Sequence, residues 1–201
     1  MLNIYLLRHG ETQWNADGNK YCGHTDIPLT EKGISQANEV YEQFQGMEFN
    51  QVYSSPLQRA AKTARIASGN HNVILDNRLI EVDFGNWEGK TKEEFIPENK
   101  TLWRNWELDP GTTRAGETGE TAHEVIERVD DFFSSITQKH SDGETVLVVA
   151  HNGINRLYMA NKLGMPLNAY RKIVQENSRI TLFTLDKAGN FQLKQLNSKG
   201  I

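Results

Sequence analysis

The stretch TVLVVAHNG, residues 145–153, decides the fold that this chain is expected to adopt. Its first six residues form a nearly continuous apolar run, which is typical of a strand buried on both faces of a parallel sheet. A helix is predicted from about Asn152 to near Gly164, and Pro166 follows just beyond it. A buried strand that leads directly into a helix indicates an α/β architecture.

Other apolar runs on both sides of this stretch predict further strands. Leu2–Leu7 and Gln51–Tyr53 are short strands, each followed by an amphipathic segment. Arg179–Leu185 and Phe191–Leu196 flank the turn-like residues 187–190 and are expected to pair as an antiparallel hairpin. The whole pattern predicts a three-layer α/β/α fold with a mostly parallel central sheet.

Three helices before residue 140 can be placed by their capping residues. Thr30 is expected to open a helix whose apolar face holds Ala37, Val40, Tyr41 and Phe44. Ser55 is predicted as an N-cap, with Pro56 as the first helical residue. Thr121 and Glu124 form a capping box that opens the clearest helix of the chain. The region from about residue 73 to residue 114 is less regular and contains three of the four tryptophans.

Length and composition limit what kind of protein this is. A chain of 201 residues with 37% hydrophobic and 24% charged residues fits one domain, residues 1–201. Its net charge of -4 disfavours a general binder of nucleic acid or anionic membranes. The single cysteine, Cys22, excludes an intramolecular disulfide. No apolar run has membrane-spanning length and no signal peptide is recognisable, so we expect a cytoplasmic protein.

Polar residues follow the predicted strands at the edge where ligands bind to such sheets. Arg8 and His9 come at the end of the first strand, and Arg59 lies one helical turn after the second. His151 and Asn152 follow the buried strand, where the next helix begins. We therefore expect two arginines and two histidines to meet at one rim.

This set of side chains suits a phosphate group. Arginine forks match the oxygens of a phosphate, and the backbone amides around Asn152 would add an uncharged anion site. Neighbouring arginines disfavour the imidazolium form, so one of the two histidines would be neutral near pH 7 and able to attack phosphorus. The other would donate hydrogen bonds to the phosphoryl group, and the two titrations would be coupled.

The string LLRHGETQWN, residues 6–15, resembles the RHG signature of the histidine phosphatase superfamily, branch 1, whose fold is phosphoglycerate-mutase-like. The segments SSPLQRAAKTA, RLIEVDFGNWEGK, GETAHEVIERV and VLVVAHNG follow in the order of that family. The resemblance therefore extends over nearly the whole chain. It implies a three-layer fold, hydrolysis of a phosphomonoester of a small metabolite, and no cofactor.

The resemblance also implies roles for individual residues. His9 would be the nucleophile that forms a phosphohistidine, and Glu81 would be the proton donor. The residues that would bind the transferred phosphoryl group are Arg8, Asn15, Arg59, His151 and Asn152. From the residues alone, Asp83 and Glu88 are equally eligible as the acid, because a leaving alkoxide needs a nearby carboxyl group but no particular one.

Further residues are candidate substrate contacts, each with a plainer structural alternative. They are Cys22, Gly23, His24, Trp103, Trp106 and Thr121. The thiol of Cys22 and the two indoles are equally suited to packing, and Thr121 to helix capping. His24 lies in the loop after the nucleophile and is otherwise an exposed loop residue. His71, His123 and His140 are expected at the surface.

Two other classes of site are disfavoured. GNWEGKT, residues 85–91, has one residue too few between its glycines for a nucleotide-binding phosphate loop, so a turn leading into a short helix is predicted. The six histidines include no pair at zinc-ligand spacing, which favours a reaction without metal.

Three functions fit the site, and the chain favours one of them. Cofactor-dependent phosphoglycerate mutases resemble this chain but carry a longer segment between the acid and the GET motif. The shorter segment between Glu81 and Glu120 predicts an open pocket, which favours hydrolysis over mutase activity. A catalytically inactive module that binds phosphorylated ligands would be expected to have lost His9, Glu81 or His151, and all three are present. The oligomeric state and the identity of the substrate stay undetermined by the sequence.

Overall fold

The computed structural model describes residues 1–69 and 72–200, which include six strands. The strands are β1 (Leu2–Arg8), β2 (Gln51–Ser54), β3 (Val73–Leu75), β4 (Thr145–Ala150), β5 (Ile180–Leu185) and β6 (Phe191–Ser198). They form one sheet in the order β3-β2-β4-β1-β5-β6. The first four strands in this order are parallel, whereas β5 runs antiparallel to β1 and β6 antiparallel to β5.

Seven α-helices lie in the same described residues. They are α1 (Gln13–Ala16), α2 (Glu31–Gln43), α3 (Gln58–Ala67), α4 (Lys92–Phe95), α5 (Lys100–Leu108), α6 (Ala122–Lys139) and α7 (Asn152–Lys162). Short 3₁₀ turns occur at Asn77–Leu79, Gly85–Trp87 and Leu167–Lys172. The capping box of Thr121 and Glu124 at α6 is confirmed, and so is the turn that leads from Gly85 to the short helix α4.

The side chains of the sheet alternate between two hydrophobic clusters, one on each face. Tyr5 and Leu7 of β1 pack on one side with Val40 of α2 and Ala60 of α3. Ile4 and Leu6 pack on the other side, against the apolar faces of α6 and α7. The residues of these helices in the same cluster include Val125, Val129, Phe133, Leu157 and Tyr158. The predicted three-layer α/β/α fold with a mostly parallel sheet is therefore confirmed.

The start of α3 differs from the prediction. Ser55 is not an N-cap and Pro56 is not helical, because α3 begins at Gln58 with Leu57 at its cap position. Ser55 instead continues the sheet ladder, since its backbone N–H donates to Val149 O at 3.0 Å. Its hydroxyl makes a hydrogen bond of 2.8 Å with His151. The hydroxyl therefore has a long-range partner in His151 beside a local one, since its oxygen also accepts from Leu57 N at 3.3 Å.

Tyr41 and His140 also depart from expectation. Tyr41 is 41% exposed, because its ring lies over Gly69 at the surface instead of joining the buried face of α2. The His140 side chain is only 10% exposed, since it lies between Tyr53 Oη, 2.9 Å from its Nε2, and the carboxylate of Glu144. His123 is exposed as predicted, whereas His71 lies outside the described residues.

The irregular region contains more order than the sequence suggested. It holds β3, two 3₁₀ turns, α4 and α5, and its aromatic rings pack together. The Trp87 ring stacks on Phe95 with centroids 4.8 Å apart and meets Trp103 and Trp106 edge-on. These rings belong to the larger hydrophobic cluster, which packs on the face of the sheet that carries Ile4 and Leu6. Within residues 1–69 and 72–200, no helix has both the length and the apolar character needed to cross a membrane.

Candidate active site

The two histidines are brought together by the pairing of β1 with β4. Arg8, the last residue of β1, lies in register with Ala150, the last residue of β4. His9 and His151 therefore leave neighbouring parallel strands at the same edge, and their ring centroids are 5.1 Å apart. The backbone N–H of His9 donates to Ala150 O at 3.0 Å, which extends the ladder into the site.

The environment of His9 fixes which ring nitrogen is free. Its Nδ1 donates to the carbonyl oxygen of Gly10 at 2.7 Å, so the proton belongs on Nδ1 and the lone pair on Nε2. The ring is buried, and burial, followed by the charges of Arg59 and Arg8, holds the pKa of His9 well below its usual range. The imidazole is therefore neutral at pH 7, with Nε2 available as a nucleophile.

His151 is fully buried beside it. Its Nε2 makes a hydrogen bond of 2.8 Å with Ser55 Oγ, which fixes the orientation of the ring. Its Nδ1 is buried and has no hydrogen-bond partner among the described residues. Burial is the main cause that keeps the pKa of His151 well below its usual range, and the charge of Arg59 adds to it. A buried ring nitrogen without a partner is a natural contact for a bound ligand.

Arg8 and Arg59 each keep part of the guanidinium group free. Arg8 Nη1 donates to Gln175 O at 3.1 Å, and Arg59 donates to Thr25 O at 2.8 Å and to Gly23 O at 2.7 Å. The Nε atoms of both arginines are buried without a partner in the described part of the chain. Burial lowers the pKa of Arg8 to about 10, although the carboxylate of Glu81 opposes this effect. The Arg8 guanidinium therefore remains cationic at pH 7.

Glu81 is held at the N-terminus of α7. Its Oε1 accepts from the backbone N–H groups of Val82 at 2.9 Å and Ile154 at 3.0 Å, and Oε2 accepts from Gly153 N at 2.9 Å. The helix amides predicted as an anion site near Asn152 are thus already bound to a carboxylate of the protein. Gly153 is required here, because a Cβ at that position would lie 2.6 Å from Glu81 Oε1.

Arg128 of α6 holds the backbone that carries Glu81, a contact that the sequence analysis missed. It donates to Ile80 O at 2.7 Å, to Arg78 O at 2.8 Å and to Glu81 O at 3.2 Å. It also forms a forked ion pair with Glu120, with both N···O distances at 2.8 Å. The only sequence signal is an arginine on the polar face of an amphipathic helix, which more often faces solvent.

Glu81 and the residues at the end of β1 line one cavity of about 380 Å³. Six of the candidate residues line it, namely Arg8, His9, Asn15, Cys22, Glu81 and Asn152. Arg59 and His151 lie buried beneath that lining. The oxygen of Asn15 accepts from Thr12 N at 3.1 Å, which leaves its NH₂ group for a ligand. The structure thus brings the predicted phosphate-binding residues to one place.

The other candidate substrate contacts lie outside the cavity lining. Gly23 and His24 belong to the neighbouring loop, where His24 Nε2 donates to Glu81 O at 3.0 Å. Trp103 and Trp106 are buried in the hydrophobic cluster, and Thr121 caps α6. Trp103 still acts on the cavity indirectly, because the guanidinium carbon of Arg171, a lining residue, lies 4.4 Å from its ring centroid.

The alternative acids predicted near Glu81 are used differently. Both Glu88 carboxylate oxygens accept from Gly23 N at 2.9 Å, and Glu88 Oε1 also accepts from Thr25 N at 3.0 Å. Asp83 Oδ1 accepts from Gly85 N at 2.9 Å. Neither side chain lines the cavity, so both stabilise the surrounding turns.

Four further cationic side chains of the cavity lining were not predicted. They are Lys20, Lys92, Arg156 and Arg171, and Tyr170 lies among them. We call these five residues the outer wall. They come from a loop, two helices and a 3₁₀ turn that are distant in sequence, so no periodicity or motif groups them.

Comparison with known proteins places this site in a family. The family model described as the histidine phosphatase superfamily (branch 1) matches residues 4–199. Phosphoserine phosphatase 1 of Hydrogenobacter thermophilus is 31% identical over 96% of this chain and 92% of that protein. The adenosylcobalamin/alpha-ribazole phosphatase of Escherichia coli is 34% identical over 84% of this chain and 82% of that protein.

A solved structure agrees with these matches over the full length. A mutant of phosphoserine phosphatase from Entamoeba histolytica, solved in complex with phosphoserine, superposes with a TM-score of 0.88. It is 32% identical, and the superposition covers 99% of this chain and 98% of that one. The family model, the relatives and the shared architecture all agree. The chain therefore belongs to branch 1 of the histidine phosphatase superfamily.

Proposed function

We propose that this protein is a phosphatase that hydrolyses phosphomonoesters of small metabolites through a phosphohistidine on His9. One observation carries the proposal. The neutral His9 ring has a free Nε2. Its ring centroid lies 5.1 Å from that of His151, and two arginines nearby have buried N–H groups without a partner among the described residues. A nucleophile beside several preorganised phosphate donors is what phosphoryl transfer requires.

In the first step, His9 Nε2 attacks phosphorus in line and the ester P–O bond breaks. Arg8, Arg59, Asn15 and His151 would hold the phosphoryl oxygens while negative charge spreads over them. Glu81 in its protonated form would give its proton to the leaving alkoxide, so that the free alcohol departs. The position of Glu81 supports this role, because it is the buried carboxyl group in the cavity lining, whereas Glu93 lies exposed at the mouth.

In the second step, Glu81, now ionised, would accept a proton from water, whose oxygen attacks the phosphohistidine. The P–N bond breaks, inorganic phosphate leaves, and His9 and the protonated Glu81 are restored. Hydrolysis of a phosphate monoester needs a barrier reduction of roughly 20 kcal/mol or more. Covalent catalysis and charge stabilisation must therefore act together.

We also propose that the reaction needs no metal ion and takes place in the cytoplasm, where phosphorylated metabolites are made and used. Among the described residues, no three histidine, cysteine or acidic side chains come together in a way that suits a metal ion. The positive charge that a metal would supply is provided in this cavity by Arg8 and Arg59.

The test measures phosphate release from a panel of phosphomonoesters in excess EDTA. Wild type should release phosphate, and His9→Ala should lose at least about 10³-fold of the rate, because the nucleophile is gone. His123→Ala, at an exposed position of α6, is the matched control and should retain the activity. Formation of 2-phosphoglycerate from 3-phosphoglycerate would show a mutase, and tight binding without turnover would show a binding module.

A further inference from the structure

A loop before β5 contacts the segment that carries His9, and the proposed chemistry assigns this loop no role. It comprises residues 175–178, Gln-Glu-Asn-Ser, and we call it the β5 loop. Arg8 Nη1 donates to Gln175 O at 3.1 Å, and the backbone N–H of Ser178 donates to Arg8 O at 3.0 Å. The β5 loop therefore holds both the side chain and the main chain of Arg8.

Asn177 extends these contacts to two further residues of the site. Its Nδ2 donates to His9 O at 2.9 Å and to Asn15 Oδ1 at 3.3 Å. An amide NH₂ group has two hydrogens, so it can serve both acceptors at once. His9 and Asn15 line the cavity, whereas Asn177 does not. Asn177 therefore joins two lining residues to each other without belonging to the lining itself.

The helix that carries Asn15 has little buried surface to hold it. α1 is four residues long, and none of them is buried. Helices in proteins are stabilised mainly by packing of an apolar face, which this one lacks. The bonds from Thr12 N and Thr12 Oγ1 to Asn15 Oδ1, both 3.1 Å, are local, whereas Asn177 is 162 positions away from Asn15. The bond from Asn177 is thus the long-range contact that ties Asn15 to the backbone of His9.

The same bond orients the amide group of Asn15. Its Oδ1 accepts from Thr12 N and from Asn177 Nδ2, so a half-turn of the amide would set its NH₂ group against two donors. The NH₂ group of Asn15 therefore stays directed away from these donors and available to a phosphoryl oxygen.

The β5 loop is itself fixed by the last strand. The backbone N–H of Glu176 donates to Asn197 Oδ1 at 2.8 Å, and Asn197 lies in β6 near the shift in its register with β5. Ser178 and Asn197 both have a φ of 52°. This left-handed conformation is uncommon outside glycine and persists where the surrounding structure determines it. The loop therefore has a defined shape, as a positioning role requires.

We propose that Asn177 is a positioning residue that fixes the place and the orientation of Asn15 relative to His9 for binding of the phosphoryl group. This inference rests on the proposed function, in which Asn15 binds a phosphoryl oxygen. In one alternative, Asn177 contacts the phosphate directly, and its effect on phosphate affinity would be independent of Asn15. In another, it only stabilises the fold, and phosphate affinity would not change.

The test is a double-mutant cycle on the affinity for inorganic phosphate. Calorimetry at pH 7 gives the dissociation constants of wild type, Asn15→Ala, Asn177→Leu and the double variant. Asn15→Ala should weaken binding about tenfold, because it removes a hydrogen bond to a charged group. Asn177→Leu should weaken binding about three- to tenfold when Asn15 is present. It should have less than about a twofold effect when residue 15 is already alanine, because Asn177 acts through Asn15.

Control variants show that the effect belongs to the Asn177 amide. Glu176→Gln is the matched control, because Glu176 lies in the same loop but its side chain is directed to Arg179 Nε at 3.3 Å. Its phosphate affinity should equal that of wild type. Asn177→Ala is measured beside Asn177→Leu, so that a variant without added bulk is included. The thermal midpoint of each variant shows that it is folded.

The results separate this inference from the proposed function. An equal loss in both backgrounds, or no loss in either Asn177 variant, would overturn the positioning role even if wild type releases phosphate from phosphomonoesters. Coupled losses without any phosphate release by wild type would instead keep Asn177 as a positioning residue and remove the phosphatase. Failure of wild type to bind phosphate would overturn both.

Discussion

The inner end of the cavity, where His9 and His151 lie, and the outer wall are held in place by two different means. At the inner end, His9 and His151 follow neighbouring strands and are fixed by backbone and hydroxyl hydrogen bonds. On the outer wall, Arg156 lies over the Tyr170 ring, and Arg171 lies over the rings of both Trp103 and Tyr170. The inner end therefore depends on the sheet, whereas the outer wall depends on a few side chains that could change while the sheet stays the same.

This difference indicates which residues should act on every substrate and which should select among substrates. Changes at the inner end should affect every phosphomonoester, because they act on the phosphate that all of them share. Changes on the outer wall should alter the choice among substrates. Four experiments test this division.

The largest effect is expected for Glu81→Gln. A glutamine at position 81 has no proton to donate, so the rate on an alkyl phosphate should fall by about 10²- to 10⁴-fold. The loss should be much smaller on 4-nitrophenyl phosphate, because its leaving group departs without a proton. Both rates and the thermal midpoint are measured, since the amide nitrogen must face a backbone N–H of α7. An equal loss on both substrates would assign Glu81 a structural role.

A smaller loss is expected for Arg128→Met. The substitution removes three bonds to the backbone of residues 78–81, so Glu81 should be less well positioned and kcat should fall about 10- to 100-fold with little change in KM. The loss should again be smaller on 4-nitrophenyl phosphate, because Arg128 acts through the acid. A uniform loss on both substrates would mean that the variant only loosens the fold.

The buried histidines should make stability depend on pH. Unfolded histidine takes up a proton near pH 6.5, whereas burial holds the pKa of His9 and of His151 well below that. Each pH unit below about 6.5 should therefore lower the free energy of unfolding by about 1.4 kcal/mol for each such histidine, until the native ring is protonated. Above that pH the two histidines contribute no slope.

Urea unfolding at several pH values checks this. His151→Gln should remove one histidine's share of the slope between pH 6.5 and the lower pKa of the native ring. Ser55→Ala is the control, because it removes the bond to His151 but keeps both histidines, so it should lower stability without removing a share of the slope. An unchanged slope in His151→Gln would refute the assignment.

The smallest effect is expected for Trp103→Phe. A phenyl ring attracts cations more weakly than an indole, so Arg171 and Lys92 should be held less firmly. Affinity for 3-phosphoglycerate should therefore fall about two- to threefold in the His9→Ala background. Affinity for glycerol 3-phosphate measured alongside separates this change from a general loss of binding.

The sequence predicted the inner end well because strand ends obey simple rules. An apolar run marks a buried strand, and parallel strands bring their carboxyl ends to one edge, which placed Arg8, His9 and His151 together. The helices were recognisable from apolar spacing and from the capping box at Thr121. These features are local, so a single segment contains the information that specifies each of them.

What the sequence did not reveal depends on contacts between distant residues. The bond of the Ser55 hydroxyl to His151 could not be predicted, because the two residues are 96 positions apart. The bonds of Arg128 could not be predicted, because the carbonyl groups that it binds belong to an irregular segment. Arg171 and Lys20 lie on a 3₁₀ turn and a loop, for which no periodic pattern predicts direction. That Arg171 and Lys20 line the same cavity becomes apparent only in the folded structure.

The central position of β1 has a consequence for how the protein is made. β1 is synthesised before the other strands of the sheet, yet its two neighbours, β4 and β5, begin only at Thr145 and Ile180. Until most of the chain has left the ribosome, its apolar residues, such as Ile4 and Leu6, have no strand to pair with. Such long-range pairing is slow, and the unpaired strand is prone to aggregate meanwhile. The strand that leads to His9 is therefore also a segment that needs protection during synthesis.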